Sequence, residues 1–297
     1  MSKQYIAQLN KNDVFIRENL MAEYDAYSVT MCAVMCGPGC TYFGVNLHAN
    51  KCRVYSGCHP GNLTEVQVGW RYFSQESEGN KRPLNCKTLL ADGHTLSNIY
   101  TIYPRNNQCS VVLCDMTIKG GGWTVIQKRV DGSTDFDRTW KEYKEGFGSV
   151  NSSYWLGNDV IHMLTKNKPS LYVSITLTNG TTLYQQYEEF SITNETDKYR
   201  LFLNRPTTGT LGDSMFNTGR YYRDLSGMYF TTSDRDNDRL SLGNRAVLYG
   251  GGGLWYNACH DANLNGPWSP EHWYNPWFPT VMFNNEIKET SMMIKHH

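Results

Sequence analysis

The sequence predicts an α+β chain in two parts, a small cysteine-rich module followed by a larger domain of short strands, short helices and long ordered loops. Three observations carry this expectation. Five of the nine cysteines fall between Cys32 and Cys58, and the other four are spread over the remainder. Composition shifts near residue 75, where Ser74–Pro83 (SQESEGNKRP) reads as a polar linker with Gly and Pro. Beyond Tyr222 the regular patterns fade into Gly, aromatic, Asp and Asn residues, the composition of long loops, which inside a compact domain are usually functional. A length of 297 residues favours two domains and suffices to bury a core. The expected divisions are residues 1–74, a linker over 75–83, and residues 84–297.

Taken in order, Val14–Tyr27 is weakly patterned, with Phe15, Leu20 and Met21 among charges. Ser28–Cys36 (SVTMCAVMC) predicts a helix with Ser28 as N-cap and with Cys32 and Cys36 four apart on one face. Cys40–Phe43 and Cys52–Tyr55 read as short strands. Gly122–Arg129 and Ser170–Thr178 alternate as strands do. Tyr154–Thr165 (YWLGNDVIHMLT) places Trp155, Val160, Ile161 and Leu164 near helical spacing.

Composition excludes several function classes. The 28 basic and 28 acidic side chains leave no net charge, which argues against a nucleic-acid binder that must neutralise phosphates. No apolar run approaches the roughly 20 residues that cross a bilayer. The charged fraction is 19%, below a usual figure of about 25%. Polarity therefore comes largely from Asn, Ser, Thr, Gly and Tyr, as in loop-rich extracellular proteins.

Crowded cysteines suit either zinc or disulfides. No paired His follows at finger spacing and no second close Cys pair of ribbon type is present, so disulfides and a secretory route are expected. Sequons at Asn62, Asn151, Asn179 and Asn194 agree with a secreted glycoprotein. Met1–Leu20 carries Lys3, Lys11, Asp13, Arg17 and Glu18 and no apolar leader core. This reading therefore requires the sequence to begin after a signal peptide or to be a piece of a longer chain.

From Cys86 onward the chain resembles the fibrinogen C-terminal domain family, which includes ficolins, tachylectins and angiopoietins. The resemblance rests on NCKTLLADGHTLSNIYTIYP at Asn85–Pro104, CDMTIKGGGWTVIQKRVDGSTDF at Cys114–Phe136 and W-x-x-Y-x-x-G-F-G at Trp140–Gly148. It continues through YWLGNDVIHMLT, DKYRL at Asp197, GDSM at Gly212, FTTSDRDND from Phe230 and CHDANLNG from Cys259, in family order. It implies the fibrinogen C-terminal globular fold, a mixed and mostly antiparallel sheet with short helices and long ordered loops, and a Cys86–Cys114 disulfide. The pattern C-x3-C-x3-C-x2-F-x8-C-x-V-Y from Cys32 to Tyr55 resembles a PAN/apple module. By that analogy Cys32 pairs with Cys52 and Cys36 with Cys40. Such a segment would be a second adhesive unit or a small packing cap. Cys58, Cys109 and Cys259 remain as an odd set, able to bridge two chains or two domains.

Asp234, Asp236 and Asp238 stand at alternate positions in SDRDNDRL. This spacing lets carboxylates converge on a calcium ion, which accepts 6–8 oxygens in flexible geometry. Counted from Asp234, EF-hand positions six and twelve fall on Arg239 and Arg245, so the loop is no EF-hand. An ordinary solvated Asp/Asn turn is the plain alternative. The resemblance implies calcium held by the side chains of Asp236 and Asp238 and the carbonyls of Leu240 and Leu242, with Asp234 as a helper. The stretch after Asp238 runs one residue longer than the family pattern.

Immediately downstream lies LYGGGGLWYNACHDANLNG, Leu248–Gly266. Aromatic rings beside a Gly run suit a shallow site for a polar ligand. The resemblance implies an acetyl-binding pocket here, with Tyr249, Trp255, Tyr256, Cys259, His260 and Tyr274 as ligand-binding positions. His260 would exchange one hydrogen bond with the ligand, and the Ala258–Cys259 peptide would be cis. On the plain alternative the rings are structural and His260 is a satisfied loop histidine. Two departures stand out. Arg245 occupies the position of the cysteine that pairs with Cys259 in the family, and His272–Pro279 (HWYNPWFP) is shorter and richer in Pro and Trp than the family's closing stretch.

No G-x-S-x-G elbow and no H-E-x-x-H appears. Carboxylates that hold calcium stay ionised and cannot act as a glycosidase acid. A non-enzymatic binder is therefore expected, lectin-like toward glycans or acetylated ligands in innate recognition. The alternative is a matrix, adhesion or signalling protein that binds an extracellular protein partner. No collagen repeat or heptad coiled coil is present, so a homo-oligomer would form through domain surfaces or a spare cysteine.

Overall fold

The computed structural model describes residues 5–7, 14–15, 20–36, 40, 42–55, 65–66, 69–75, 82–105, 108–204, 206–216, 219, 222–268, 276–282 and 286–297. Most of the expected linker, Cys58, Asn62 and Tyr274 lie outside them. The chain forms two compact units. One holds residues 1–84 and 98–112, the other residues 85–97 and 113–297.

The first unit begins with β1 (Tyr5–Ala7), β2 (Val14–Phe15) and β3 (Leu20–Asp25). Helix α1 (Val29–Met35) follows, and Ser28 caps it by accepting the Met31 N–H at 3.0 Å. Then come β4 (Tyr42–Asn46), β5 (Lys51–Tyr55), β6 (Glu65–Val66) and β7 (Arg71–Gln75). The main sheet runs β1-β7-β4-β5-β3, and β2 pairs with β6. Disulfides join Cys32 to Cys52 and Cys36 to Cys40, stapling α1 to β5 and to the chain entering β4. Both bridges are buried with Phe43, Val45 and Val54, so covalent ties substitute for apolar area that a unit this small lacks. Tyr42 stacks on Tyr55 with ring centroids 4.5 Å apart.

Helix α2 (Cys86–Ala91) has a capping box in which Asn85 and Thr88 satisfy each other's backbone N–H groups. A hairpin of β8 (Asn98–Arg105) and β9 (Gln108–Asp115) follows. Its last residues, Cys114 and Asp115, pair with β10 (Trp123–Arg129). Cys86 and Cys114 form a disulfide, and Cys109 is also disulfide-bonded. Next are α3 (Trp140–Glu145), β11 (Phe147–Gly148), β12 (Tyr154–Trp155) and α4 (Asn158–Thr165). Then follow β13 (Ser170–Leu177), β14 (Thr182–Tyr187), β15 (Phe190–Ile192), β16 (Leu201–Leu203) and β17 (Pro206–Gly209). A single turn, α5 (Arg245–Leu248), and the long β18 (Ile287–Lys295) complete the unit.

The second unit's sheet runs β11-β12-β10-β18-β13-β14-β17, with every described pair antiparallel. β18 lies between β10 and β13, so the last strand completes the centre of the sheet. The helix expected over Tyr154–Thr165 is shorter. Tyr154 and Trp155 pair with β10 instead, and Gly157 at φ 103° breaks the chain before α4 begins.

The described residues between Leu211 and Val281 hold little regular structure, yet they are anchored by aromatic packing. Phe230 lies 5.2 Å from Tyr143, 5.2 Å from Trp255 and 6.0 Å from Trp155, centroid to centroid. These edge-on and tilted contacts each add about 0.5–1.5 kcal/mol beyond the area they bury, and they anchor the loops.

Candidate functional site

The aspartate loop leaves this core at Phe230. Thr231 and Leu254 exchange backbone hydrogen bonds at 2.9 and 3.1 Å, joining the loop to the segment that carries Trp255. Thr232 and Arg235 close a tight turn. Asp234 accepts the Trp140 N–H at 2.8 Å and the Thr232 hydroxyl at 2.7 Å, so its carboxylate holds the first turn of α3. It sits to one side of the other two acids.

Asp236 accepts the Asp238 N–H at 3.1 Å. Asp238 accepts the Leu240 N–H on one oxygen and the Arg245 N–H on the other, both at 2.7 Å. Burial raises the Asp238 carboxyl above the usual range. The two N–H donors oppose the shift, and the charge of Asp236 adds to it. Among the described residues no group of three or more His, Cys, Asp or Glu side chains is arranged to hold a metal. The oxygens of this loop form a different set, two carboxylates and two backbone carbonyls. The donor chemistry fits a hard cation, because Asp236 and Asp238 lie close enough to repel. The Leu240 and Leu242 carbonyls accept no hydrogen bond among the described residues.

Asn244 links this loop to the next segment. Its amide donates to the Thr232 carbonyl at 2.8 Å, while its oxygen caps α5 by accepting the Ala246 N–H at 2.8 Å. Arg245 then reaches across, donating to the Tyr249 hydroxyl at 3.1 Å and to the Ala258 carbonyl. Arg245, which the resemblance places where a cysteine partner of Cys259 was expected, instead ties this stretch by hydrogen bonds. Cys259 is free and half-buried. The Ala258–Cys259 peptide is trans, contrary to the cis expectation, since the cis bond among the described residues is Phe278–Pro279. With Arg245 spanning the site, no disulfide constrains this turn.

His260 is 1% exposed. Tyr249 meets its ring edge-on at 4.6 Å and Tyr256 at 5.4 Å. Its Nδ1 is buried without a hydrogen-bond partner. Burial, reinforced by the Arg245 and Arg223 guanidiniums, pushes the imidazole down to about 3, so it is neutral. Arg223 pairs with the buried Asp261.

Two predicted residues play a different part. Trp255 is fully buried, donates its indole N–H to the Tyr199 carbonyl at 2.7 Å and packs on Phe230. Tyr256 is also fully buried and donates to the Gly252 carbonyl at 2.7 Å. Both support the site from behind. Gly252, at φ 91°, permits this, since a Cβ there would lie 2.2 Å from the Asn265 carbonyl oxygen. Sequence reasoning passed over Asn244 and Arg223, and it read Arg245 only as a missing cysteine. The signal for Asn244 was its place as an Asn cap ahead of a short apolar run. Two cavities, of about 490 and 240 Å³, are lined by Lys119 and its neighbours and by none of the predicted site residues. No helix among the described residues is long and apolar enough to cross a membrane.

The family described as fibrinogen beta and gamma chains, C-terminal globular domain, matches residues 82–297. Fibroleukin of Homo sapiens is 40% identical over 227 residues, covering 71% of this chain and 51% of that protein. The chain spans about half the length of the curated relatives it matches. The fibrinogen-like globe domain of human ANGPTL2 superposes with a TM-score of 0.64 at 38% identity, covering 72% of this chain and 99% of that one. The lamprey fibrin D-dimer, complexed with the peptide Gly-His-Arg-Pro-amide, gives 0.63 at 31% identity, covering 73% and 74%. The acidic loop, the glycine run and the histidine turn are thus set in a known frame, and the chain belongs to the fibrinogen C-terminal globular domain family.

Proposed function

We propose that this chain is a secreted, glycosylated, calcium-binding recognition protein, with lectin-like binding of an acetylated glycan or related acetylated ligand beside His260 in innate recognition. The observation that carries this reading is the buried, unpartnered Nδ1 of His260, walled by Tyr249 and joined through Arg245 to the aspartate loop. An unsatisfied buried polar atom costs about 1–3 kcal/mol, which a ligand hydrogen bond would recover. The ring is almost wholly covered, so a ligand reaches it at its edge or by moving the half-buried Tyr249.

Calcium would be held by Asp236 and Asp238 with the Leu240 and Leu242 carbonyls, and it would supply the charge that lets two close acids stay ionised. The chain's own residues fix the bend through Asn244 and Arg245. Asn151, Asn179 and Asn194 are exposed, as glycosylation requires. The N-terminal unit, with its Cys32–Cys52 and Cys36–Cys40 bridges, is read as a PAN/apple-like second adhesive module.

A second reading is favoured by the lamprey fibrin structure, whose bound ligand is a peptide. On that reading the same loops grip an extracellular protein in adhesion or signalling. An array of glycans, acetylated compounds and short peptides, probed with and without calcium and with His260→Ala, separates the two. Calcium-dependent signal on acetylated compounds that His260→Ala abolishes supports the first reading. Signal that is indifferent to both changes contradicts it.

A further inference from the structure

A second candidate site lies beside β13, β14 and β18, built by residues that play no part in the aspartate loop or the histidine turn. It starts from a strained turn. Lys119 adopts φ 44° and ψ 45°, and Gly120, Gly121 and Gly122 follow at φ 83°, 70° and 81°. Four consecutive left-handed residues, one of them not glycine, are rare, and such conformations persist only where the surroundings enforce them. Here the enforcement is visible, since a Cβ at Gly121 would lie 2.4 Å from the Met116 carbonyl oxygen.

The turn throws the Lys119 side chain across the sheet. Its ammonium lies 4.5 Å above the Tyr184 ring, which stacks on Tyr172 at 5.1 Å. It donates to Gln186 Oε1 at 3.1 Å and to Thr208 Oγ1 at 3.2 Å. An ammonium has three donors, so one remains for a ligand. Lys295 pairs with Ser170 across the central strands, donates to the Lys119 carbonyl at 3.2 Å and lies 5.6 Å from the Trp123 ring. Burial holds the Lys295 ammonium below its usual value, and the charge of Lys87, on α2, adds to the shift.

Between these groups is a cavity of about 240 Å³ whose walls include Lys87, Lys119, Lys295 and Trp123 and no Asp or Glu. It adjoins a larger recess of about 490 Å³ that shares Lys119, Ser170 and Gln186 and adds Thr208. Glu188 and Glu189 also line that larger recess, and Glu189 is paired with Lys168 at 3.4 Å. Three lysine ammonium groups converge on a partly desolvated space whose wall also holds His296 and His297 and no Asp or Glu side chain, an arrangement that an anion relieves. The neighbouring Gln186 amide and the Ser170 and Thr208 hydroxyls suit the hydroxyls of a sugar.

We infer that the Lys87–Lys119–Lys295 cavity binds a tetrahedral oxyanion, the sulfate or phosphate ester of a glycan, with the sugar in the adjoining recess. Lysines, as point charges, accept either ester.

The test titrates the full chain at constant ionic strength with a heparin-derived tetrasaccharide, its desulfated form, inorganic sulfate, inorganic phosphate and mannose 6-phosphate. At least one charged sugar is expected to bind while the desulfated form does not, and the sulfate and phosphate arms identify the ester. Lys119→Met and Lys295→Gln are each expected to weaken binding by about tenfold or more. Lys288→Gln, at an exposed lysine elsewhere on β18, leaves it unchanged. Amine labelling of the unmodified chain gives a readout independent of variant folding, with Lys119 and Lys295 protected by the bound sugar. No oxyanion binding, equal loss in Lys288→Gln, or labelling of Lys119 and Lys295 unaffected by the sugar overturns the inference.

Discussion

One carboxylate oxygen of Asp238 accepts the backbone N–H of Arg245 at 2.7 Å. Through that bond the aspartate loop and the start of α5 move as one piece. The Arg245 guanidinium carries the connection onward to Tyr249 and to the Ala258 carbonyl, two residues before His260. A cation that fixes the loop therefore has a physical route to the imidazole, made of hydrogen bonds and one ring contact.

Calcium should raise the melting temperature, because a ligand that binds only the folded state adds about 2.7 kcal/mol at a hundredfold excess over its Kd. Asp236→Asn tests this cleanly. Among the described residues its side chain accepts a hydrogen bond only from the Asp238 N–H, a role that Asn retains, so the substitution removes charge alone. Differential scanning calorimetry with millimolar calcium and with chelator should show a shift in the wild type and little in the variant. A midpoint insensitive to calcium in the wild type removes the cation from the account.

Arg245→Met should loosen the turn at residues 258–260 more than it lowers global stability. It removes two hydrogen bonds to partly buried partners, about 1–3 kcal/mol in total, while the Asp238 cap on the backbone remains. Hydrogen exchange should quicken at Cys259 and His260 and stay unchanged in β13 and β18. Uniform quickening across the domain would mean that Arg245 supports the whole fold and does not act locally.

His260 predicts an acid-sensitive fold. Its folded value of about 3 lies below the ordinary 6.5, so between those limits the unfolded chain binds a proton that the folded chain does not. Its stabilising contribution is complete above about pH 6.5 and declines as pH falls toward 3, by about 1.4 kcal/mol per unit. Near pH 5 the loss is about 2 kcal/mol. Urea midpoints measured at neutral pH and near pH 5 should differ by less in His260→Gln than in the wild type.

Gly252→Ala should destabilise by about 2–4 kcal/mol, since it places a Cβ against the Asn265 carbonyl in a left-handed backbone. Gly93→Ala provides the contrast. That residue also has a positive φ, but open space surrounds the Cβ position, so the strain is conformational alone and near 1 kcal/mol. Chemical denaturation of both variants measures the difference.

What was legible in the sequence is what local physics dictates. Ser28 announced α1, and the alternation in Gly122–Arg129 and Ser170–Thr178 announced β10 and β13, because capping and side-chain period are properties of neighbouring residues. The order of the sheet was not legible. β18 pairs with β10 and β13 across more than a hundred residues of chain, and nothing in its own residues names those partners. At the candidate site the same division holds. The acids and the histidine were readable as residue types. That Trp255 and Tyr256 face the core follows from their packing on Phe230 and Gly252, which no spacing reveals. The replacement of a cysteine by Arg245 read as a loss, and only the structure shows the hydrogen bonds that take its place. Lys119 drew no notice, because a left-handed lysine is a property of its backbone and not of its sequence.

The most direct test of the coupling is a calorimetric titration with N-acetylglucosamine, run with calcium and with chelator on the wild type and on Arg245→Met. The account predicts that calcium tightens wild-type binding by about tenfold and that the variant loses most of this enhancement. Equal affinity for the sugar in calcium and in chelator, in the wild type, would contradict it.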